Sequence, residues 1–191
     1  MKWNKITLNQ FCQIQKAFEI TDETERLITI SEIVFGEDVT NLPLSEYSKK
    51  IKELDFLKEE IPNNHLVKSV KVNGREYRLD GLLGNITTAQ YIDFINHSKT
   101  NDVAKILSVF FIPKEHKYND GYDMLQVIND IGSLPMDIVN STAFFFARQF
   151  NKFIQIFQSS LKKKMKKMKI DSKTKEQIQQ IIMSLESYLT F

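Results

Sequence analysis

"SVKVNGREYRLD", residues 69–80, alternates apolar and polar side chains on both sides of Asn73-Gly74. Asn-Gly between two alternating runs is the strongest short-range hairpin signal a sequence carries. A turn at these two residues pairs Val72 with Arg75, Lys71 with Glu76 and Val70 with Tyr77. Val70, Val72, Tyr77 and Leu79 then share one face, while Lys71 and Glu76 oppose each other as a charge pair on the other. A lone hairpin is marginal in water, so its apolar face must pack on helices. The expected class is therefore mainly α with α+β character: a helical protein with one central β-hairpin and a long C-terminal amphipathic helix.

The flanking segments carry helical spacing. Upstream, Thr7 with Gln10 forms a capping-box pattern ahead of Leu8, Phe11, Ile14 and Phe18. A second helix starts at Thr21 or Asp22, carries Leu27, Ile30 and Val34, and stops at Gly36. A third runs from about Ser45 with Tyr47, Ile51, Leu54 and Leu57 on one side; Pro62 closes it, and residues 61–65 suggest a linker. Downstream, Thr87 with Gln90 caps a helix holding Tyr91, Phe94 and Ile95. Asp102 starts another through residues 103–111 that Pro113 ends, and Asp123 opens a short one ending at Gly132. From about Asp137 to Lys169 the pattern stays helical, striped by Phe146, Phe150, Phe153, Phe157 and Leu161. A last amphipathic helix holds Ile178, Ile181, Ile182, Leu185 and Leu189. The expected organisation is residues 1–60 as an N-terminal helical region, 61–135 as hairpin plus helices, and 136–191 as long C-terminal helices, or one continuous domain.

Composition sets the outer bounds. The 191 residues are 42% hydrophobic and 26% charged, with four prolines and six glycines, which is globular usage and argues against disorder. No apolar run approaches the roughly 18 residues a membrane helix requires, and residues 1–11 lack the apolar core of a signal peptide. Both point to an intracellular, cytoplasmic protein, where a single cysteine also fits and the sequons at Asn85, Asn96 and Asn140 carry no meaning. Net charge is +2 but uneven. Residues 1–60 hold 8 basic and 12 acidic side chains, whereas residues 132–191 hold 10 and 4. That asymmetry permits self-association or a polyanionic partner.

Catalytic signals do not assemble. His65, His97 and His116 are isolated, without a second ligand at metal spacing. Cys12, beside Phe11, reads as a small buried hydrophobe. The loop with Glu115, Asn119, Asp120, Gly121 and Asp123 offers oxygen atoms but lacks the Asp/Asn alternation and terminal Glu of a calcium loop. Asn-Asp-Gly as a turn, with Asp123 as a helix cap, explains it. Gly81 and Gly84 make no phosphate loop, and no hydrolase, zinc-protease or kinase signature occurs. The expectation is a protein with no catalytic residue, metal or cofactor.

Residues 161–169, "LKKKMKKMK", continue the Phe stripe through Leu161, Met165 and Met168, leaving the lysines for the solvated side. Phe146, Phe150, Phe153, Phe157, Met165 and Met168 are thus candidate contacts for an apolar helical partner. Lys162, Lys163, Lys164, Lys166, Lys167 and Lys169 are the alternative site, for a polyanion such as nucleic acid. Neither arginine nor an aromatic is interleaved with the charge, so specific base recognition is disfavoured, as is membrane binding.

The order of phrases "MKWNKITLNQF", "LPLSEYSKKIKELDFL", "VNGREYRLDGLLGNITTAQYIDF", "VFFIP" and "YNDGYD" resembles tail assembly chaperones and related tail-module proteins of tailed bacteriophages. The similarity runs over about residues 1–160. It implies a mostly helical, non-enzymatic protein of virion assembly whose partner is a phage structural protein, the apolar helical tape measure protein or another tail component. The basic C-terminal segment departs from that pattern and leaves a nucleic-acid-associated virion or packaging protein as the rival expectation.

Overall fold

The computed structural model describes residues 1–63, 66–80 and 86–167; beyond Gln149 it describes the helix backbone with the side chains of Lys152, Ser159 and Lys163. Among the described residues there are seven α-helices and a three-stranded antiparallel sheet, which is the mainly α, α+β class. Helices α1 (Leu8–Ala17), α2 (Glu23–Phe35) and α3 (Leu44–Glu53) precede strands β1 (Ser69–Val72) and β2 (Arg75–Leu79). Then come α4 (Thr88–Ser98), α5 (Val103–Ser108), β3 (Phe111–Pro113), α6 (Met124–Gly132) and α7 (Met136–Lys167). The described residues fall into two compact units, residues up to 144 and residues 145–167.

The hairpin forms in the expected register, with Val70 opposite Tyr77, Lys71 opposite Glu76 and Val72 opposite Arg75. Asn73 and Gly74 take φ of 49° and 78°, the doubly positive backbone that matches the twist of the strands. Beside β2 lies a strand where a helix was expected. Residues 109–113 leave α5, and β3 pairs Phe111 with Leu79 and Ile112 with Arg78. The reason is burial on all sides: Val109, Phe110, Phe111 and Ile112 are each at most 1% exposed, and a run of aromatic and β-branched residues fits a doubly covered strand. This strand also redirects the cross-strand charge. Glu76 pairs with Lys114 at 2.9 Å rather than with the facing Lys71.

Two capping boxes do more than start helices. Gln10 accepts from the Thr7 amide at 3.0 Å and, through Nε2, donates to the Ile33 carbonyl at 2.9 Å, joining α1 to α2. Gln90 repeats the device, accepting from the Thr87 amide at 2.9 Å and donating to the Val109 carbonyl at 3.3 Å while only 2% exposed. Helix α2 starts on the Asp22 carboxylate and stops at left-handed Gly36, as expected, whereas α3 starts at Leu44 and gives way to a 3₁₀ segment, Leu54–Lys58, well before Pro62.

One core gathers residues from the whole first unit, from Trp3 and Ile14 through Leu54 and Tyr77 to Val127 and Val139. Trp3 packs edge-on against Phe11 and Phe56 at 6.0 and 5.2 Å, and its indole N–H donates to the Glu59 carbonyl at 3.1 Å. The chain start is tied to the α6–α7 corner by two backbone bonds, Leu8 N–H to the Leu134 carbonyl and Met136 N–H to the Ile6 carbonyl, at 2.9 and 2.8 Å. Asn140 donates to the carbonyls of Ile61 and Pro62, at 2.8 and 3.2 Å, fixing part of the suggested linker on α7. Two expectations for α1 fail. Cys12 is exposed rather than a core residue, and Phe18 is 54% exposed. Leu8, Ile14 and Ala17 define the buried face, and Cys12 lies off that line.

Candidate partner-binding groove

The exposure of Phe18 belongs to a larger feature. Helix α2 is held at both ends by its caps, which turns Ile30 and Val34 into the core and leaves Leu27, one turn earlier, 36% exposed. Facing it, α3 and the 3₁₀ segment bring Ile51, Leu54 and Leu57 to the same side. An open groove of about 350 Å³ lies between them, with Phe18, Leu27, Ile30, Ile51, Leu54 and Leu57 as its apolar lining. Glu23, Arg26, Asp55 and Lys58 form a rim of both charge signs. Lys58 and Asp55 pair at 2.7 Å but are 82% and 65% exposed, so water screens the pair and it adds little to stability. Arg26 donates to the Ile20 carbonyl at 3.2 Å, which holds the chain between Phe18 and α2 in place. An apolar floor with a polar rim suits an amphipathic helix laid in the groove, anchored at i, i+3 or i+4, and i+7.

The densest polar cluster is buried under the hairpin. Asp130 on α6 is fully buried and accepts from Asn73 Nδ2 at 2.8 Å, Arg75 Nη1 at 3.1 Å, Gln126 Nε2 at 3.1 Å and the Tyr77 hydroxyl. Burial pushes its carboxyl pKa up, but the four donors outweigh that and hold it below the usual carboxylate value. A carboxylate has about four lone-pair positions, and all are filled from within the fold. The arrangement is an anchor that fixes the hairpin to α6, with no lone pair left for a substrate. Tyr77 answers in kind: its phenol is pushed above its ordinary value, first by burial and then by the bond to Asp130.

The oxygen-bearing loop before α6 folds as turns. Asn119 and Gly121 take φ of 62° and 77°, and Asp123 accepts from the amides of Leu125 and Gln126. Tyr118 donates to Asp93 at 2.6 Å, tying the loop to α4. His116 packs edge-on against Tyr122 at 5.7 Å, and His97 sits in the last turn of α4; His65 lies outside the described residues. Among the described residues no three His, Cys, Asp or Glu side chains gather as metal ligands, and no helix is long and apolar enough to cross a membrane.

Of the partner residues expected on α7, Phe146 is 9% exposed and packs edge-on against Phe145 at 5.5 Å. Phe150, Phe153, Phe157 and Met165 fall on the α7 backbone with side chains outside the described set, as do Lys162, Lys164, Lys166 and Lys167; Met168 and Lys169 lie beyond it. Lys163 is exposed. The helix expected over Ile178–Leu189 also lies outside the described residues. Sequence reading placed Phe18, Leu27, Leu54 and Leu57 on apolar stripes but not in a shared groove, and it passed over Asp130. The signal for Asp130 was present: it occupies the same face of α6 as Val127 and Ile131, where an unpaired charge is untenable. The chain matches no known protein family, no curated protein and no solved structure.

Proposed function

We propose that this chain is a non-enzymatic assembly protein that binds an apolar helical partner, as the resemblance to bacteriophage tail assembly chaperones implies, with the tape measure protein as the partner class. The observation that supports this reading is the groove between α2 and the α3–3₁₀ segment, whose apolar lining includes the exposed Phe18 and Leu27. A long apolar helix aggregates unless its stripe is covered, and an apolar trough with a charged rim covers it without adding an exposed patch. The test is co-expression with the large helical product of a neighbouring gene. The expected result is a gain in that product's soluble fraction, abolished by Leu27→Glu; no gain with the unaltered chain sinks the reading.

The rival, a nucleic-acid-associated protein of the virion or of packaging, rests on the exposed Lys163 and its lysine neighbours in sequence. It requires DNA binding at low salt that weakens steeply as salt rises and that is lost when Lys162, Lys163, Lys164, Lys166, Lys167 and Lys169 become glutamine. Binding that survives those replacements rejects it.

A further inference from the structure

The sheet has two unlike edges. Strand β3 is sealed, with Phe111 and Ile112 fully buried, whereas no strand pairs with the outer edge of β1 among the described residues. The register fixes which main-chain groups point outward there. Val72 with Arg75 closes a two-residue turn, and the Leu79 amide donates to the Lys68 carbonyl at 2.8 Å, so Val70 and Val72 spend their amide and carbonyl groups on β2, as does the Lys68 carbonyl. Ser69 and Lys71 therefore turn theirs away from the sheet. Alongside this edge runs an open trough between β1 and the α6–α7 corner, its far wall formed by Leu134, Pro135 and Ile138. Lys71 is the single charged residue lining it. The acid facing Lys71 across the hairpin, Glu76, is engaged by Lys114 at 2.9 Å, and Lys71 has no ion-pair partner among the described residues.

We propose that the β1 edge takes up an extended, acidic segment of a partner protein by β-strand addition. Main-chain hydrogen bonds form to Ser69 and Lys71, carboxylates of the incoming strand face Lys71, and its alternate apolar side chains enter the trough against Pro135 and Ile138. Charge selects this occupant over a second copy of the chain. Edge-to-edge pairing of two β1 strands brings Lys68 and Lys71 of both copies to one seam with no acid between them. The edge is only four residues long, which limits pairing to a short segment in a defined register. The site is separate from the groove on α2 and stands whether or not that groove binds a helix.

The test uses the full chain, isotope-labelled for NMR, with the blocked peptides Ac-EVEVEV-NH2 and Ac-KVKVKV-NH2 as probes. The acidic peptide is expected to shift the Ser69 and Lys71 amides and to slow their exchange, and the basic one to leave them unchanged. Lys71→Pro removes the ammonium group together with an amide that the hairpin does not use, and it weakens acidic-peptide binding by at least about tenfold. Lys71→Glu keeps the amide and inverts the preference, so a folding failure of the proline variant leaves the test intact. Equal binding of both peptides, or no binding of either, overturns the proposal. Self-association in sedimentation that Lys71→Pro abolishes overturns it as well, by giving the edge to a second copy.

Discussion

The Tyr77 hydroxyl donates its hydrogen to the Asp130 carboxylate across 53 positions of sequence, and neither side chain retains contact with water. Three further donors converge on the same carboxylate, so the hairpin sits on α6 through one fully satisfied charge. Removing a partner from such a cluster is more damaging than the net worth of any single bond, because the remaining groups stay buried without a counterpart.

Asp130→Asn turns one acceptor into a donor that faces donors, and it is expected to lower unfolding free energy by about 3 kcal/mol. Tyr77→Phe removes one donor of four and costs about 1–2 kcal/mol. Arg75→Met costs under about 1 kcal/mol, because the Arg75 side chain is 52% exposed and water screens its charge. Urea denaturation of the three variants checks the order; an Arg75 variant weaker than the Asp130 variant contradicts it.

Stability should also fall at both ends of the pH scale. The Asp130 carboxyl is held below its unfolded value, so its contribution is fully present above about pH 4 and disappears as acid protonates the folded state. The Tyr77 and Tyr118 phenols are held above theirs, chiefly by burial and then by their bonds to Asp130 and Asp93. Their contribution is present below about pH 10 and is lost as alkali ionises them. Thermal melts from pH 3 to 11 should show a plateau with two flanks, and Asp130→Asn should flatten the acid one.

The two capping-box glutamines separate capping from bridging. Gln10→Glu keeps the acceptor for the Thr7 amide but loses the donor to the Ile33 carbonyl at a half-buried site, at a cost of about 1 kcal/mol. Gln90→Glu places a carboxylate against the Val109 carbonyl where the side chain is 2% exposed, and it costs more than about 2 kcal/mol. Equal losses in denaturant midpoint refute the distinction.

Cys12 should react with iodoacetamide in the native protein, since it is exposed. Its thiol pKa is raised, by partial desolvation first and the nearby Asp102 charge second, so alkylation at pH 8 is slower in the fold than in urea. Protection of Cys12 that is lifted only by unfolding would restore it to the core.

Much of the fold was legible because local chemistry decided it. Asn73-Gly74 set the hairpin register, Thr7 and Thr87 opened their helices with Gln10 and Gln90, and Gly36 closed α2. What failed depended on distant partners. Residues 109–113 have the apolar content of either a buried helix or a buried strand, and only the edge of β2 decides between them. Glu76 had Lys71 in its own hairpin but a better-placed Lys114 just past the third strand. The groove was invisible for the same reason: each of Phe18, Leu27 and Leu57 lies on an ordinary apolar stripe, and their junction exists only after α2 and α3 have packed.

The backbone bridge between residues 6–8 and 134–136 sets the order in which the chain can mature. During synthesis the Leu8 amide and Ile6 carbonyl emerge from the ribosome more than a hundred residues ahead of the groups that satisfy them. The hairpin likewise waits some 55 residues for Asp130. Local helices form at once, but the first unit closes only after the α6–α7 corner is made, through contacts of long sequence separation that fold slowly. A nascent chain stalled before Met136 therefore leaves Trp3, Leu8 and Tyr77 without part of the core that covers them, and that interval is when its apolar surface is most open to aggregation.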